Sequence, residues 1–141
     1  MFKNILIAYD GSDHARGALA LAGDLARKVN KAGGVVWIVT VMEPSPWELG
    51  EPFLSQYIAQ RTRAGQALLQ EANERIGSGL EVHTELLFGT PAESILEVAY
   101  TRSCDLIVMG SRGLGLLEGL LLGSQAQKVI SHARCPVLIV K

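Results

Sequence analysis

Short apolar runs alternate along the whole chain with segments in which apolar residues recur at helical spacing. The apolar runs have strand length and are rich in β-branched residues, which predicts five strands over Asn4–Tyr9, Val35–Met42, Leu80–Phe88, Asp105–Gly110 and Pro136–Lys141. The segments between them predict four helices over His14–Asn30, Phe53–Ile76, Thr90–Arg102 and Ser124–Ala133. This alternation predicts an α/β fold, with a parallel sheet, right-handed crossovers and helices on both faces.

The third strand differs from the other four in its pattern. Strands that are buried on both faces read as continuous hydrophobic runs, and four of the five strands do so. Leu80–Phe88 instead alternates apolar and polar residues. We therefore expect this strand near an edge of the sheet.

Several residues indicate where the helices begin and end. Ser12 or Asp13 is the expected N-cap of the first helix, and Thr90 with Pro91 is the expected start of the third. The pair Gly33–Gly34 is expected to stop the first helix.

Length and charge limit the classes of function. The chain has 141 residues, which predicts one domain over residues 1–141, and its 48% hydrophobic and 19% charged residues predict a folded core. Thirteen basic residues against fourteen acidic ones give a net charge of −1, so we expect no nucleic-acid partner. No apolar run approaches the roughly 20 residues that span a bilayer, and no signal-peptide pattern is visible. We expect no membrane association and a cytoplasmic location.

The cysteines and histidines do not form a recognisable reactive or metal-binding pattern. Cys104 and Cys135 each precede an apolar strand, so their thiols could lie near one another, but two reduced buried thiols are the favoured interpretation. His83 and His132 are expected to be structural, and no pair has metal-ligand spacing. The consecutive residues Ser12–His14 hold the residue types of a hydrolytic triad, but neighbours in sequence cannot converge as a triad does.

The segment from Met109 to Ser124 contains five glycines directly after the fourth strand. Ligands of open parallel sheets bind at the carboxyl ends of the strands, and glycines there expose backbone N–H groups that can bind an anion. Ser111 could add a hydroxyl and Arg112 a positive charge to a phosphate, with Ser124 as the cap of the fourth helix. A long connection without a ligand is the alternative. A Walker loop is excluded because the chain has no Gly-Lys pair, and the first strand is not followed by the dinucleotide fingerprint.

The glycine spacing identifies a family. Gly110, Gly113 and Gly123 followed by Ser124 give the pattern G-x2-G-x9-G-[ST]. The flanking motifs ILIAYDGSDHA, TPAESILEVA, DLIVMGSRG and CPVLIVK occur in the matching order. Over essentially its whole length the chain resembles the universal stress protein family, in its ATP-binding type.

This resemblance implies a fold, a ligand and a set of binding residues. The implied fold is a five-stranded parallel sheet in the order 3-2-1-4-5, similar to that of the adenine-nucleotide alpha-hydrolases, and the implied ligand is ATP, expected with Mg²⁺. The resemblance places at the nucleotide Asp10 and the backbone of Ala8 and Tyr9 at the end of the first strand, and Thr40 and Val41 of the second strand at the adenine. It places Met109, Gly110, Arg112 and Gly113 along the ribose and phosphate path, and Gly123, Ser124 and Gln125 at the phosphates. Ordinary turn chemistry is the alternative interpretation of Asp10.

The same strand order predicts a second copy of the chain as a partner. In that order the fifth strand, with Val137–Val140, is an exposed apolar edge, which a two-fold symmetric homodimer would cover.

Three classes of function remain open. The first is a nucleotide-dependent regulator or sensor in a stress response, the second a slow ATP hydrolase, and the third a dimeric scaffold without bound nucleotide. Asp10 is the plausible carboxylate at the predicted site, so no catalytic residue is assigned and enzymatic activity stays an open question.

Overall fold

The computed structural model describes residues 1–30, 34–44, 50–111 and 122–141. In chain order its elements are β1 (Asn4–Ala8), α1 (Asp13–Val29), β2 (Val35–Met42), α2 (Phe53–Ile76), β3 (Glu81–Phe88), α3 (Pro91–Thr101), β4 (Leu106–Gly110), α4 (Ser124–His132) and β5 (Val137–Val140). The predicted alternation of strands and helices is confirmed, and the bounds of β2 and α2 are those predicted from the sequence pattern.

The five strands form one parallel sheet in the order β3-β2-β1-β4-β5, which confirms the predicted fold class. The chain moves outward from β1 to β2 and β3, then crosses back to β4 and continues to β5. The strand order therefore reverses between β1 and β4. In sheets of this kind the reversal leaves a crevice at the carboxyl ends of the two central strands.

The sheet separates two apolar cores, because successive side chains of a strand point to opposite faces. On one face α1 and α2 pack on a buried cluster that includes Ile5, Ile7, Ile38 and Val108. On the other face α3 and α4 pack on a cluster that includes Leu6, Val39, Ile107 and Val129. Every core residue named here is at most 1% exposed, so the central strands are buried between the two helical layers.

The two edges of the sheet are β3 and β5. The edge position of β3 confirms the expectation from its alternating pattern, and Glu81, Thr84 and Phe88 of this strand are exposed. All four residues of β5 are partly buried. Val140 approaches α1 closely enough that a Cβ atom on Gly17 would lie 3.5 Å from its Cγ1 atom.

The first helix begins at its predicted cap and ends before its predicted stop. Ser12 is the N-cap of α1, and its Oγ accepts a hydrogen bond from the Ala15 amide at 3.2 Å. The helix ends at Val29 with Asn30 as its C-cap, so the stop predicted at Gly33–Gly34 is wrong; Gly33 lies outside the described residues. The Asn30 side chain donates to the Phe2 carbonyl at 2.7 Å, which ties the end of α1 to the chain entering β1.

The starts of α3 and α4 differ in how their first amides are bonded. Thr90 is the N-cap of α3 and Pro91 its first residue, as predicted, but within the described part of the chain the Thr90 side chain makes no capping bond. The N-cap of α4 is Gly123, so the prediction that Ser124 caps this helix is wrong. Ser124 is instead the first helical residue and is exposed.

Candidate functional site at the carboxyl ends of β1 and β4

The turn after β1 brings a carboxylate to the crevice. Asp10 is exposed, and its Oδ1 accepts a hydrogen bond from the Ser12 amide at 2.9 Å, an Asx turn that leads the chain into α1. Gly11 supports this turn with a φ of +80°, and a Cβ atom there would lie 2.7 Å from Cδ2 of Leu68. The turn chemistry considered for Asp10 is therefore present.

Gly110 at the end of β4 lets the first turn of α1 approach the sheet. A Cβ atom on Gly110 would lie 2.7 Å from the His14 Cβ atom and 3.2 Å from the Ala15 amide nitrogen. Real Cβ atoms do not approach other atoms at 2.7 Å, so a side chain at this position would displace α1. Packing against α1 therefore requires glycine at position 110, whether or not a ligand is bound.

Ser111 joins three elements at the carboxyl edge of the sheet. Its amide donates to the Val140 carbonyl of β5 at 2.8 Å, and its carbonyl accepts from the Gly123 amide at 2.9 Å. Its Oγ lies 2.7 Å from Nδ1 of His14 in the first turn of α1. Backbone and side chain of Ser111 are therefore fixed at the point where β4, α1 and the start of α4 meet.

The starts of α3 and α4 converge on the same end of the sheet. The Gln125 side chain accepts a hydrogen bond from the Ala92 amide of α3 at 2.9 Å, so Gln125 supplies the capping bond that Thr90 does not. The first amides of an α-helix have no acceptor within the helix, and its N-terminus carries a partial positive charge. Because Gly123 is bonded to Ser111, α4 presents this charge beside the end of β4.

Two of the predicted contact residues are buried and bonded to one another. The Thr40 hydroxyl donates to the Tyr9 carbonyl at 2.8 Å, and the Tyr9 amide donates to the Val39 carbonyl at 2.9 Å. Tyr9 and Thr40 are each 2% exposed, so their side chains form the support of the crevice. Burial raises the pKa of the Tyr9 hydroxyl, which lies beside Arg16 and Glu71.

Three further predicted residues supply apolar surface. Ala8, Val41 and Met109 belong to the cluster on the α3 and α4 face of the sheet. Met109 is buried, whereas Ala8 and Val41 are partly exposed near the ends of β1 and β2. Arg112 and Gly113, the remaining predicted residues, lie outside the described residues.

His14 is the residue of this region that the sequence reasoning missed. In the sequence, His14 stands out only as a neighbour of Ser12 and Asp13. The structure pairs it with a residue 97 positions later. The available signal was the position of His14 in the first turn after β1, since helix α1 must start next to β4 when the strand order reverses there.

The described residues offer no site built for a metal ion. Within the four described ranges, no group of three or more His, Cys, Asp or Glu side chains is close enough to hold one. His83 stacks on Trp37 with 4.4 Å between ring centroids, and His132 bonds the Lys128 carbonyl at 2.9 Å.

A cavity of about 460 Å³ lies at the opposite end of the sheet, between α3, α4 and the starts of β4 and β5. Both cysteines line it as free thiols, Cys104 buried and Cys135 half-buried. Burial, with the nearby Cys135 as a second cause, raises the pKa of Cys104 to about 12. A thiol that does not ionise near neutral pH is a poor nucleophile, so this cavity has no activated cysteine.

Comparison with known proteins identifies the family. The sequence profile of the universal stress protein family matches residues 1–141. The chain belongs to the universal stress protein family. A universal stress protein from Thermus aquaticus is 45% identical over 141 residues, covering 100% of both chains, and YxiE from Bacillus subtilis is 32% identical over 148 residues, again covering 100% of both.

Solved structures agree with the fold of this universal stress protein. The protein MJ0577 superposes with a TM-score of 0.86 at 28% identity, covering 100% of this chain and 96% of that one. A universal stress protein solved in complex with cAMP superposes with a TM-score of 0.72 at 27% identity, covering 99% and 97%. UspA from Lactobacillus plantarum, at 24% identity and a TM-score of 0.86, shares the fold and covers 99% of this chain and 98% of its own.

Across the described ranges, no helix combines the length and the apolar character needed to cross a membrane.

Proposed function

We propose that this universal stress protein binds an adenine nucleotide, ATP with Mg²⁺, in the crevice at the carboxyl ends of β1 and β4, and that it acts as a nucleotide-dependent regulator in a stress response. The observation that carries the proposal is the convergence of Ser111, Gly123 and the start of α4 at the same edge of the sheet as the exposed Asp10. The cAMP complex of a relative at 27% identity supports an adenine nucleotide as the ligand class.

The phosphates would lie at the start of α4. The helix N-terminus supplies unpaired amides and a partial positive charge, which together favour an anion. Ser124 is exposed as the first helical residue, so its hydroxyl can reach a phosphate oxygen directly. Gly110 and Ser111 form the wall of the crevice on the β4 side, with Arg112 and Gly113 following in sequence.

The nucleoside would lie toward β1 and β2. Ala8 and Val41 present partly exposed apolar surface on one face of the sheet, and Met109 packs behind them. Asp10 has one carboxylate oxygen bonded to the Ser12 amide, which leaves the other for a hydroxyl of the sugar or for a metal ion carried by the phosphates. Tyr9 and Thr40 would act indirectly, because the hydrogen bond between them holds the ends of β1 and β2 in position.

The test is calorimetric titration with ATP, with and without Mg²⁺, of the wild type and two variants. Asp10→Asn removes the charge at the crevice, and we expect it to weaken binding about tenfold, the loss typical of one charged hydrogen bond. Asp24→Asn is the matched control, because Asp24 is an exposed residue of α1 whose side chain is 69% exposed and pairs with Arg27 at 3.7 Å. Absence of binding by the wild type at millimolar ATP, or equal weakening by both variants, would contradict the proposal.

Slow hydrolysis of the bound nucleotide is the second candidate. Asp10 is placed at the crevice, but its carboxylate is held as a turn acceptor by Ser12. A general base must reach the attacking water, so we expect any release of phosphate to be slow. Incubation with ATP followed by phosphate measurement distinguishes a nucleotide-holding regulator from a hydrolase.

We further propose that two copies associate through β5. This strand forms an edge of the sheet, and it is apolar along Val137–Val140. An uncovered apolar edge strand pairs readily with another chain, and two-fold pairing would cover it.

A further inference from the structure

The bond between His14 and Ser111 links a titratable ring to the wall of the crevice. Nδ1 of His14 lies 2.7 Å from the Ser111 Oγ. The close approach permitted by Gly110 fixes the His14 Cβ position, and the Ser111 backbone is fixed by its bonds to Val140 and Gly123. The backbones of both partners are therefore held at the meeting point of β4, β5, α1 and α4.

The presence or absence of a hydrogen on Nδ1 decides which partner donates in this bond. When Nδ1 of a neutral ring accepts, the Ser111 O–H donates to it, and the hydroxyl proton is not available to a ligand. When the ring is protonated, both nitrogens donate, so the Ser111 oxygen accepts and its O–H is free to donate elsewhere. Protonation of the tautomer whose hydrogen lies on Nε2 thus adds a positive charge at this wall and makes one hydroxyl donor available, and both changes favour a bound anion.

Histidine is the side chain whose charge changes between about pH 5 and pH 8. β4 contributes no charged side chain, because all residues of Leu106–Gly110 are uncharged. Among the described residues, the charged groups around this turn are Asp10 and Asp13 before and at the start of α1, Arg16 paired with Glu71 of α2, and Lys141 directly after β5. Arg112, which follows Ser111 in sequence, lies outside the described residues.

We propose that His14 is a positioning residue of the nucleotide site, and that its protonation strengthens phosphate binding by making the Ser111 hydroxyl a donor. This inference rests on the proposed function and adds regulation by pH to it. Nucleotide affinity then increases as the pH falls through the range in which His14 gains its proton, and bound nucleotide in turn favours the protonated ring.

The test compares ATP affinity of the wild type with that of His14→Asn at several values between about pH 5.5 and pH 8.5. Asparagine places an amide near the position of Nδ1, so it keeps a partner for Ser111 and cannot titrate. The ATP phosphates titrate in the same range, but their contribution is common to both proteins and cancels in the ratio of dissociation constants. We expect this ratio to change about tenfold over the range, the change produced when a bound anion shifts the titration of one group by one pH unit.

A second variant keeps the test valid should His14→Asn fold poorly. Ser111→Ala leaves the ring in place and removes the hydroxyl, so we expect the pH-dependent gain to shrink by more than half. Thermal melting of each variant without nucleotide reports folding separately. Binding by the wild type with a ratio that stays constant across the range for both variants would overturn the role of His14 and leave nucleotide binding intact. Absence of wild-type binding at every pH would overturn the proposed function, and this inference with it.

Discussion

Gly110 shows how one residue can satisfy a sequence signature and a packing requirement together. The glycine pattern predicts a residue without a side chain near phosphate, and the structure places the first turn of α1 where the Cβ atom would be. A sequence pattern cannot separate these reasons, because both require the same residue type. His14 was missed for a related reason, since its partner Ser111 is distant in sequence.

Replacing Gly110 tests the packing reason alone. We expect Gly110→Ala to destabilise the protein by about 1–3 kcal/mol, as is usual when a methyl group is forced into a packed region. Gly17→Ala is the control, because its Cβ atom would lie at an ordinary 3.5 Å from Val140 inside α1. Alanine is the better helix former, so the control should be neutral or up to about 1 kcal/mol more stable. Urea unfolding measures both variants, and equal stability of Gly110→Ala and the wild type would show that α1 does not require this glycine.

Among the elements, the strands and helices could be predicted from the sequence, but the hydrogen bonds at the ends of the helices could not. The apolar runs and helical spacing located all nine elements, because periodicity reflects which face is buried. The capping of α3 by Gln125 and the ending of α1 at Asn30 depend on neighbours that are far apart in sequence. Local signals at Thr90 and Gly33–Gly34 therefore could not predict these bonds.

An ion pair between α1 and α2 should make stability depend on acid pH. Partial burial raises the pKa of Glu71, but hydrogen bonds from Arg16 at 2.8 Å and Arg75 at 3.0 Å outweigh it and hold the pKa below its usual value. A carboxyl group with a lowered pKa in the folded state stabilises the fold above its unfolded pKa of about 4.3, and the contribution is lost as the pH falls through the folded value.

We expect Glu71→Gln to reduce the difference in unfolding free energy between about pH 7 and pH 3. Glu74→Gln, an exposed change in the same helix, is the control and should leave that difference as in the wild type. Denaturant unfolding at both pH values provides the measurement. A larger difference in Glu71→Gln than in the wild type would mean that the sign of the argument is wrong.

At the scale of the whole molecule, the alternation of elements predicted an α/β sheet, and the family resemblance supplied its strand order. The composition of the predicted site could be inferred only in part. Tyr9 and Thr40 occupy the expected strand ends, but they bond each other and are buried. The position of a residue along a strand can be predicted from the sequence, whereas the hydrogen-bond partner of its polar group depends on tertiary packing.

Dimer formation through β5 can be tested amide by amide. The Ile107 amide donates to the Pro136 carbonyl and the Ser111 amide donates to the Val140 carbonyl. The backbone N–H and C=O groups of the even-numbered residues of β5 therefore point toward β4. The amides of Val137 and Ile139 point toward the free edge instead. We expect hydrogen exchange to be slow at all three of Val137, Leu138 and Ile139 in a dimer. Slow exchange at Leu138 with fast exchange at the other two would indicate that the edge is uncovered.

The most direct measurement for the central claim is a crystal structure of the protein grown with excess ATP and Mg²⁺. We predict density for a nucleotide in the crevice, with phosphates beside the first amides of α4 and the Ser111 hydroxyl, and with the nucleoside near Asp10 and Val41. Density for the nucleotide at another surface, with only solvent between the ends of β1 and β4, would contradict the account.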